Sequence, residues 1–143
     1  MDIKRIKFEV LGEPKSQLRI KFRKLGSHIH TYVPEVTQMA EQSLMMQSLQ
    51  YRPKDLIFGP IRLGLKIIRS IPKSMSKRKR QLAIDEILRP TTKPDLSNYI
   101  KLIEDALTGI FWRDDSQIIE YLPGIGKYYG ATPKIEIVVE YKE

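Results

Sequence analysis

The sequence predicts one α+β domain, a mixed sheet with helices packed on it. Three observations lead there. IRLGLKIIRSI places Ile61, Leu63, Leu65 and Ile67 at period two, and PKIEIVVEYK does the same with Ile135, Ile137, Val139 and Tyr141, so each reads as a strand with one buried face. From Leu96 to Thr108 the apolar residues Tyr99, Leu102, Ile103, Ala106 and Leu107 recur at i, i+3, i+4, i+7 and i+8, the single stripe of a helix docked by one face. No repeat, low-complexity tract or long linker interrupts the 143 residues, a length at which one domain buries a core without staples.

The elements follow in order. Arg5 to Leu11 alternates, with Ile6, Phe8 and Val10 on one face of a half-buried strand. GEPKSQ punctuates, LRIKFRK alternates again as a basic strand, and SHIHTYVP fits a short extended piece or a loop. Glu35 to about Tyr51 lacks Gly and Pro and is built of good helix formers, which predicts a helix. After the strand at Ile61, SMSKRKRQLAIDEIL fits a short basic helix and a loop ordered on DNA equally well. Gly109 stops the amphipathic helix, as glycine does just past a helix end. A strand is expected around Gln117 to Leu122, PGIGKYYG reads as a glycine-rich turn or loop, and the final strand closes the chain. The expected order is β-β-α-β-(α)-α-β-β.

Charge and composition narrow the chemistry. The chain has no cysteine, which excludes disulfides, thiolate metal sites and a cysteine nucleophile. Its two histidines, His28 and His30, are too few for an ordinary zinc site, so any metal is a hard cation on oxygen ligands. The N-terminus has no signal-peptide apolar core, and no apolar run approaches the ~20 residues that span a bilayer, so a cytoplasmic protein with no membrane partner is expected. A net charge of +8 favours nucleic acid through counterion release. Its distribution says more. Arg69 to Arg80 carries six basic residues and no acid, whereas Asp95 to Glu120 carries six acids and two bases. A basic surface with one acidic island suits a metal-dependent nuclease, the surface holding phosphates and the island holding the cation.

Within that island, helical spacing sets Asn98, Lys101 and Asp105 within about 60° of one another, beside the apolar stripe. Asp95 sits at the helix start. Asp114 and Asp115 follow the turn at Gly109, where a returning chain can bring one of them alongside Asp95 or Asp105. If that segment is extended, neighbouring side chains point to opposite faces and only one of the two reaches the site. Each feature also has an ordinary use: Asp95 as a helix cap, Lys101 with Asp105 as a surface pair, Asp114-Asp115 as a solvated turn, Trp112 as core. GIGK lacks the spacing of a phosphate loop.

The run KPDLSNYIKLIEDALTGIFWRDDSQI resembles the signature of the RusA family of Holliday junction resolvases. That signature is Pro-Asp-x-Asp-Asn, a lysine three residues on, Asp-Ala-Leu-x-Gly, a short gap, and Asp-Asp-x-Gln. Looser likenesses in LGEPKSQLRIKF, TYVPEVTQMAEQ and GPIRLGLKIIRSIPKS extend it over most of the chain. The resemblance implies a small α/β homodimer that binds four-way DNA junctions and nicks two strands of like polarity symmetrically, using Mg2+. Carried over by position, Asp95 matches the first catalytic aspartate, Lys101 the catalytic lysine, and Asp115 the distal aspartate with Asp114 beside it. Asp105 matches the acid in mid-helix and Asn98 the asparagine after the second aspartate. On this basis Asp95, Asp105, Asp114 and Asp115 are the candidate metal ligands.

One position departs. The family's second aspartate falls on Ser97, a neutral and weak ligand, so the site carries one negative charge fewer. Retained cleavage is expected, because the remaining acids and Lys101 are present; the alternative is a branched-DNA binder with a degraded metal site. Phosphate contacts are assigned, from charge alone, to Arg19, Lys21, Arg23, Lys73, Lys77, Arg78, Lys79 and Arg80. A small resolvase of this kind suits a cell chromosome and a resident phage alike.

Overall fold

The computed structural model describes residues 2–16, 21–26, 28–32 and 35–142. Arg19 lies outside them. Among the described residues the chain runs β1 (Ile3–Leu11), β2 (Lys21–Leu25), β3 (His28–Tyr32), α1 (Glu35–Ser48), β4 (Ile61–Ser70), α2 (Lys77–Ile84), α3 (Leu96–Leu107), β5 (Ile118–Tyr121), β6 (Gly126–Gly130) and β7 (Lys134–Lys142). Short 3-10 turns occupy Leu49–Tyr51 and Asp115–Gln117.

β4 is the centre of a five-stranded mixed sheet. Its apolar alternation puts Ile61, Leu63, Leu65 and Ile67 at 2% exposure or less. β7 pairs with β4 antiparallel on one side and passes the sheet on to β1, also antiparallel. Along its other side β4 takes two short parallel partners in succession, β5 at Ile61–Leu63 and β6 at Lys66–Ser70. Gly64 lets the chain after β5 lie close: a Cβ there would stand 3.2 Å from Leu122 Cδ1. β2 and β3 form a separate antiparallel hairpin.

The stripe predicted for α3 is the face it buries. Tyr99, Leu102, Ile103, Ala106 and Leu107 are each 1% exposed or less, and all but Leu102 join Phe8, Val10, the β4 residues, Ile135, Ile137 and Val139 in one core. Each fully buried Leu or Ile side chain contributes about 1.5–3 kcal/mol, so Leu102, Ile103 and Leu107, with Tyr99 and Ala106 beside them, set the rotation of α3 firmly. At its end Gly109 takes φ +89° and its N–H donates to Trp112 O at 2.7 Å, which folds Phe111 and Trp112 back into the core. Trp112 is fully buried, with Nε1 donating to Thr108 Oγ1 at 3.0 Å. It is a core residue.

Three expectations are refined. The helix from Glu35 ends at Ser48 and tightens into the 3-10 turn. The basic stretch after β4 is a helix, α2, capped by Ser76 Oγ, which accepts the Lys79 N–H at 3.3 Å. PGIGKYYG is a turn followed by a strand, because β6 draws its backbone partners from β4 and needs no local alternation. Among the described residues no helix is long and apolar enough to cross a membrane.

Ile103 is fully buried under the sheet. Ile103→Ala is expected to cost about 2–5 kcal/mol, read as a lower denaturant midpoint at unchanged m.

Candidate active site

α3 carries most of the candidate residues on the side its buried stripe leaves free. Asp95 holds the N-cap position with extended backbone (φ −67°, ψ 147°), yet its carboxylate makes no capping hydrogen bond. An aspartate at an N-cap ordinarily accepts a backbone N–H from the first turn. Here the exposed carboxylate has no bonding partner among the described residues. Ser97 and Lys101 are exposed, and Asn98 and Asp105 are half-buried.

The two acids after the helix differ in use. Asp114 caps the 3-10 turn, its Oδ1 accepting the Ser116 N–H at 3.0 Å. That hydrogen bond, foremost, holds its carboxyl below the usual carboxylate range. Asp115, the first residue of the turn, meets the Asp114 side chain and also faces α3 and β5: burial, foremost, pushes up the Glu104 carboxyl and the Tyr121 hydroxyl, and the charge of Asp115 adds to both.

Gln117 fixes this turn. Its Oε1 accepts the N–H of Arg113 at 2.9 Å and of Asp114 at 2.8 Å, while its Nε2 donates to Ile57 O at 2.8 Å and Gly59 O at 3.0 Å. One amide thus clamps the Asp114-Asp115 pair to the segment leading into β4.

Glu104 is a site residue that sequence reasoning missed. It accepts the Tyr121 hydroxyl at 2.7 Å, linking α3 to β5. Burial pushes its carboxyl up; the Tyr121 hydrogen bond opposes this, Asp115 and Asp105 add to it, and Lys101 pulls it down. Glu104 is therefore the point around which Lys101, Asp105 and Asp115 gather. Asp105 acts on Glu41 of α1 as well, raising that carboxyl further beyond the effect of its burial. No sequence signal marks Glu104 apart from Asp105, because its partner lies on another element.

Not all the predicted ligands come together. Ten residues of helix, about 15 Å of rise, separate Asp95 from Asp105, so one ion cannot be held by both. Among the described residues no three acids or histidines form a metal-binding group. Of the basic candidates, Lys73, Lys77, Arg78 and Lys79 are exposed around the start of α2. Their cations oppose the positive end of the helix dipole there. Arg80 is half-buried, with Nη2 donating to Pro72 O at 3.2 Å. Lys21 and Arg23 lie on β2, opposite Tyr32 and His30.

Two measurements check this arrangement. Gln117→Ala removes four hydrogen bonds, two of them to part-buried carbonyls, and is expected to destabilise the protein by about 2–3 kcal/mol. Glu104 should show in the pH dependence. A carboxyl raised above its ordinary 4.5 lends stability that is full below that value and lost as pH rises through the raised one. Glu104→Gln, whose amide oxygen still accepts from Tyr121, should therefore raise Tm at neutral pH, by a margin that shrinks as the solution is acidified.

Comparison with known proteins bears on these residues together. The model of the family described as Endodeoxyribonuclease RusA matches residues 12–140. A protein of Bacillus subtilis (strain 168), described as uncharacterized protein YqaN, is 36% identical over 136 residues, covering 94% of each chain. A match spanning nearly the whole domain, with the acids of α3 and of the following turn inside it, shows that this chain belongs to the RusA endodeoxyribonuclease family.

Proposed function

We propose that the protein is a Mg2+-dependent, structure-selective endodeoxyribonuclease that resolves Holliday junctions by paired symmetric nicks, in recombination and repair. The observation that carries this reading is Asp95: it stands at a helix start and leaves its carboxylate unused by the cap. Asp115, freed from capping because Asp114 does that work, supplies the second wall. Family membership supports the class of reaction. The reading places the protein in the cytoplasm, where its substrate is.

The donor set fits Mg2+. The ion is commonly held by one or two carboxylates, several waters and the substrate's own phosphates, so a protein cage of three acids is not required. Asp95 and Asp115 would hold it, with Asp105 and Glu104 shaping the surrounding charge. When bound, it polarises the phosphodiester and stabilises charge on the leaving oxygen. Lys101, exposed on α3 about 9 Å of helix rise from Asp95, neutralises charge that builds on the phosphoryl oxygens. Ser97 and Asn98 line the same helix end. A homodimer would set two such sites across the junction's two-fold axis, one for each nick.

A second reading is favoured by Ser97, whose hydroxyl stands where the resembling signature has an acid. With one charge fewer, the chain would bind branched DNA and cut it poorly.

Cleavage of a synthetic four-way junction, with and without Mg2+, separates the two. Asp95→Asn is expected to lower the rate at least ~100-fold while junction binding persists, and Ser97→Asp to reduce the Mg2+ concentration needed for half-maximal rate. Native protein that binds the junction but cuts nothing, with Ser97→Asp restoring cleavage, establishes the second reading.

A further inference from the structure

Two cations meet on one carbonyl just ahead of α3. Arg69, near the end of β4, donates from Nη1 to Thr92 O at 3.2 Å and Thr92 Oγ1 at 3.3 Å. Lys127, on β6, donates from Nζ to the same Thr92 O at 2.9 Å and to Pro94 O at 3.1 Å. A shared acceptor holds two like charges in one small volume, where they repel. Among the described residues neither has a carboxylate within ion-pairing distance. Asp95, the residue after Pro94, is not such a partner. Nor is Glu13, whose Oε2 accepts the Ser70 N–H at 3.5 Å.

A second basic group stands on the other face of β6. Arg89 Nε donates to Lys127 O at 2.6 Å, and its guanidinium lies 3.7 Å from the centre of the Tyr128 ring. Lys66 Nζ stands 4.4 Å from the same ring and pairs with Glu86 at 2.7 Å. Lys66 and Arg89 thus gather on Tyr128, whose side chain leaves β6 on the face opposite that of Lys127. Gly126 is required for this packing, because a Cβ there would collide with the Arg89 guanidinium. The second glycine of GIGK makes room for an arginine.

Carbonyl oxygens satisfy donors without neutralising charge. Arg69 uses one of its three nitrogens in these bonds, and Lys127 two of its three protons, so both retain donors for an anion. We infer that Arg69 and Lys127 form a seat for a backbone phosphate of the DNA substrate, directly beside the segment that presents Asp95. The same side chains hold the carbonyls of Thr92 and Pro94, so a phosphate seated there also steadies the approach to Asp95. The seat deepens the nuclease reading and rests on it for the identity of the anion.

Junction affinity across a salt series, in EDTA so that no strand is cut, tests the seat. Arg69→Gln and Lys127→Gln are each expected to lessen the slope of log K against log salt by about 0.9, the loss of one phosphate contact. Lys127→Arg should keep the native slope. Unchanged slopes in both glutamine variants, at Tm values near native, overturn the seat and leave the pair as struts. Should a glutamine variant fail to fold, the native protein decides: the Arg69 Nε–H resonance shifts on junction binding if the seat exists and stays in place if it does not. Native protein that never cuts, yet loses slope on Lys127→Gln, keeps the seat and overturns the nuclease reading. Native protein that cuts, with slopes unchanged, does the reverse.

Discussion

The rotation of α3 is the constraint on which the rest of the site depends. Tyr99, Leu102, Ile103, Ala106 and Leu107 are all buried, and no other turn of the helix about its axis would bury the five together. With that face fixed, Ser97 and Lys101 stand toward solvent and Glu104 meets Tyr121. The strand β4 serves the same end from the other side, since its inward residues accept the stripe while its edge takes β5 and then β6. Placement of the polar residues is thus a by-product of apolar packing. It tolerates changes of charge at the surface far better than changes of volume beneath it.

Against that fixed helix, neighbouring acids acquire different work. Asp95 occupies a cap position without capping, whereas Asp114 caps and is thereby occupied. Gln117 makes the second of these possible by clamping both backbone N–H groups of the turn to the chain before β4. At Glu104 the fold keeps a carboxylate part-buried with Asp115 and Asp105 close enough to raise it. Repulsion among those three is relieved by protonation, by Lys101, or by a bound cation. In the proposed reading the last of these is what the substrate complex supplies.

Regular elements were legible because they carry their own period. The stripe of α3, the alternation of β4 and β7 and the stop at Gly109 all needed no knowledge of partners. β6 was not legible, because glycines at 124, 126 and 130 conceal its alternation and its pairing partner β4 lies more than fifty residues earlier. The pair Asp114-Asp115 was visible as chemistry but not as two roles, since the difference rests on a single 3-10 turn. Gln117 fell within the resembling signature, yet its purpose is a contact to Ile57 and Gly59 some sixty residues away. Arg69 read as the start of a basic run and Lys127 as part of a glycine-rich loop until Thr92 brought them together.

The division of labour between Asp114 and Asp115 is the most exposed part of this picture. Mg2+-supported cleavage of a four-way junction by Asp114→Asn and by Asp115→Asn, compared at matched Tm, tests it directly. Asparagine caps a turn about as well as aspartate, so Asp114→Asn is expected to cut at close to the native rate while Asp115→Asn does not cut. Loss of cleavage in Asp114→Asn with retention in Asp115→Asn contradicts the assignment.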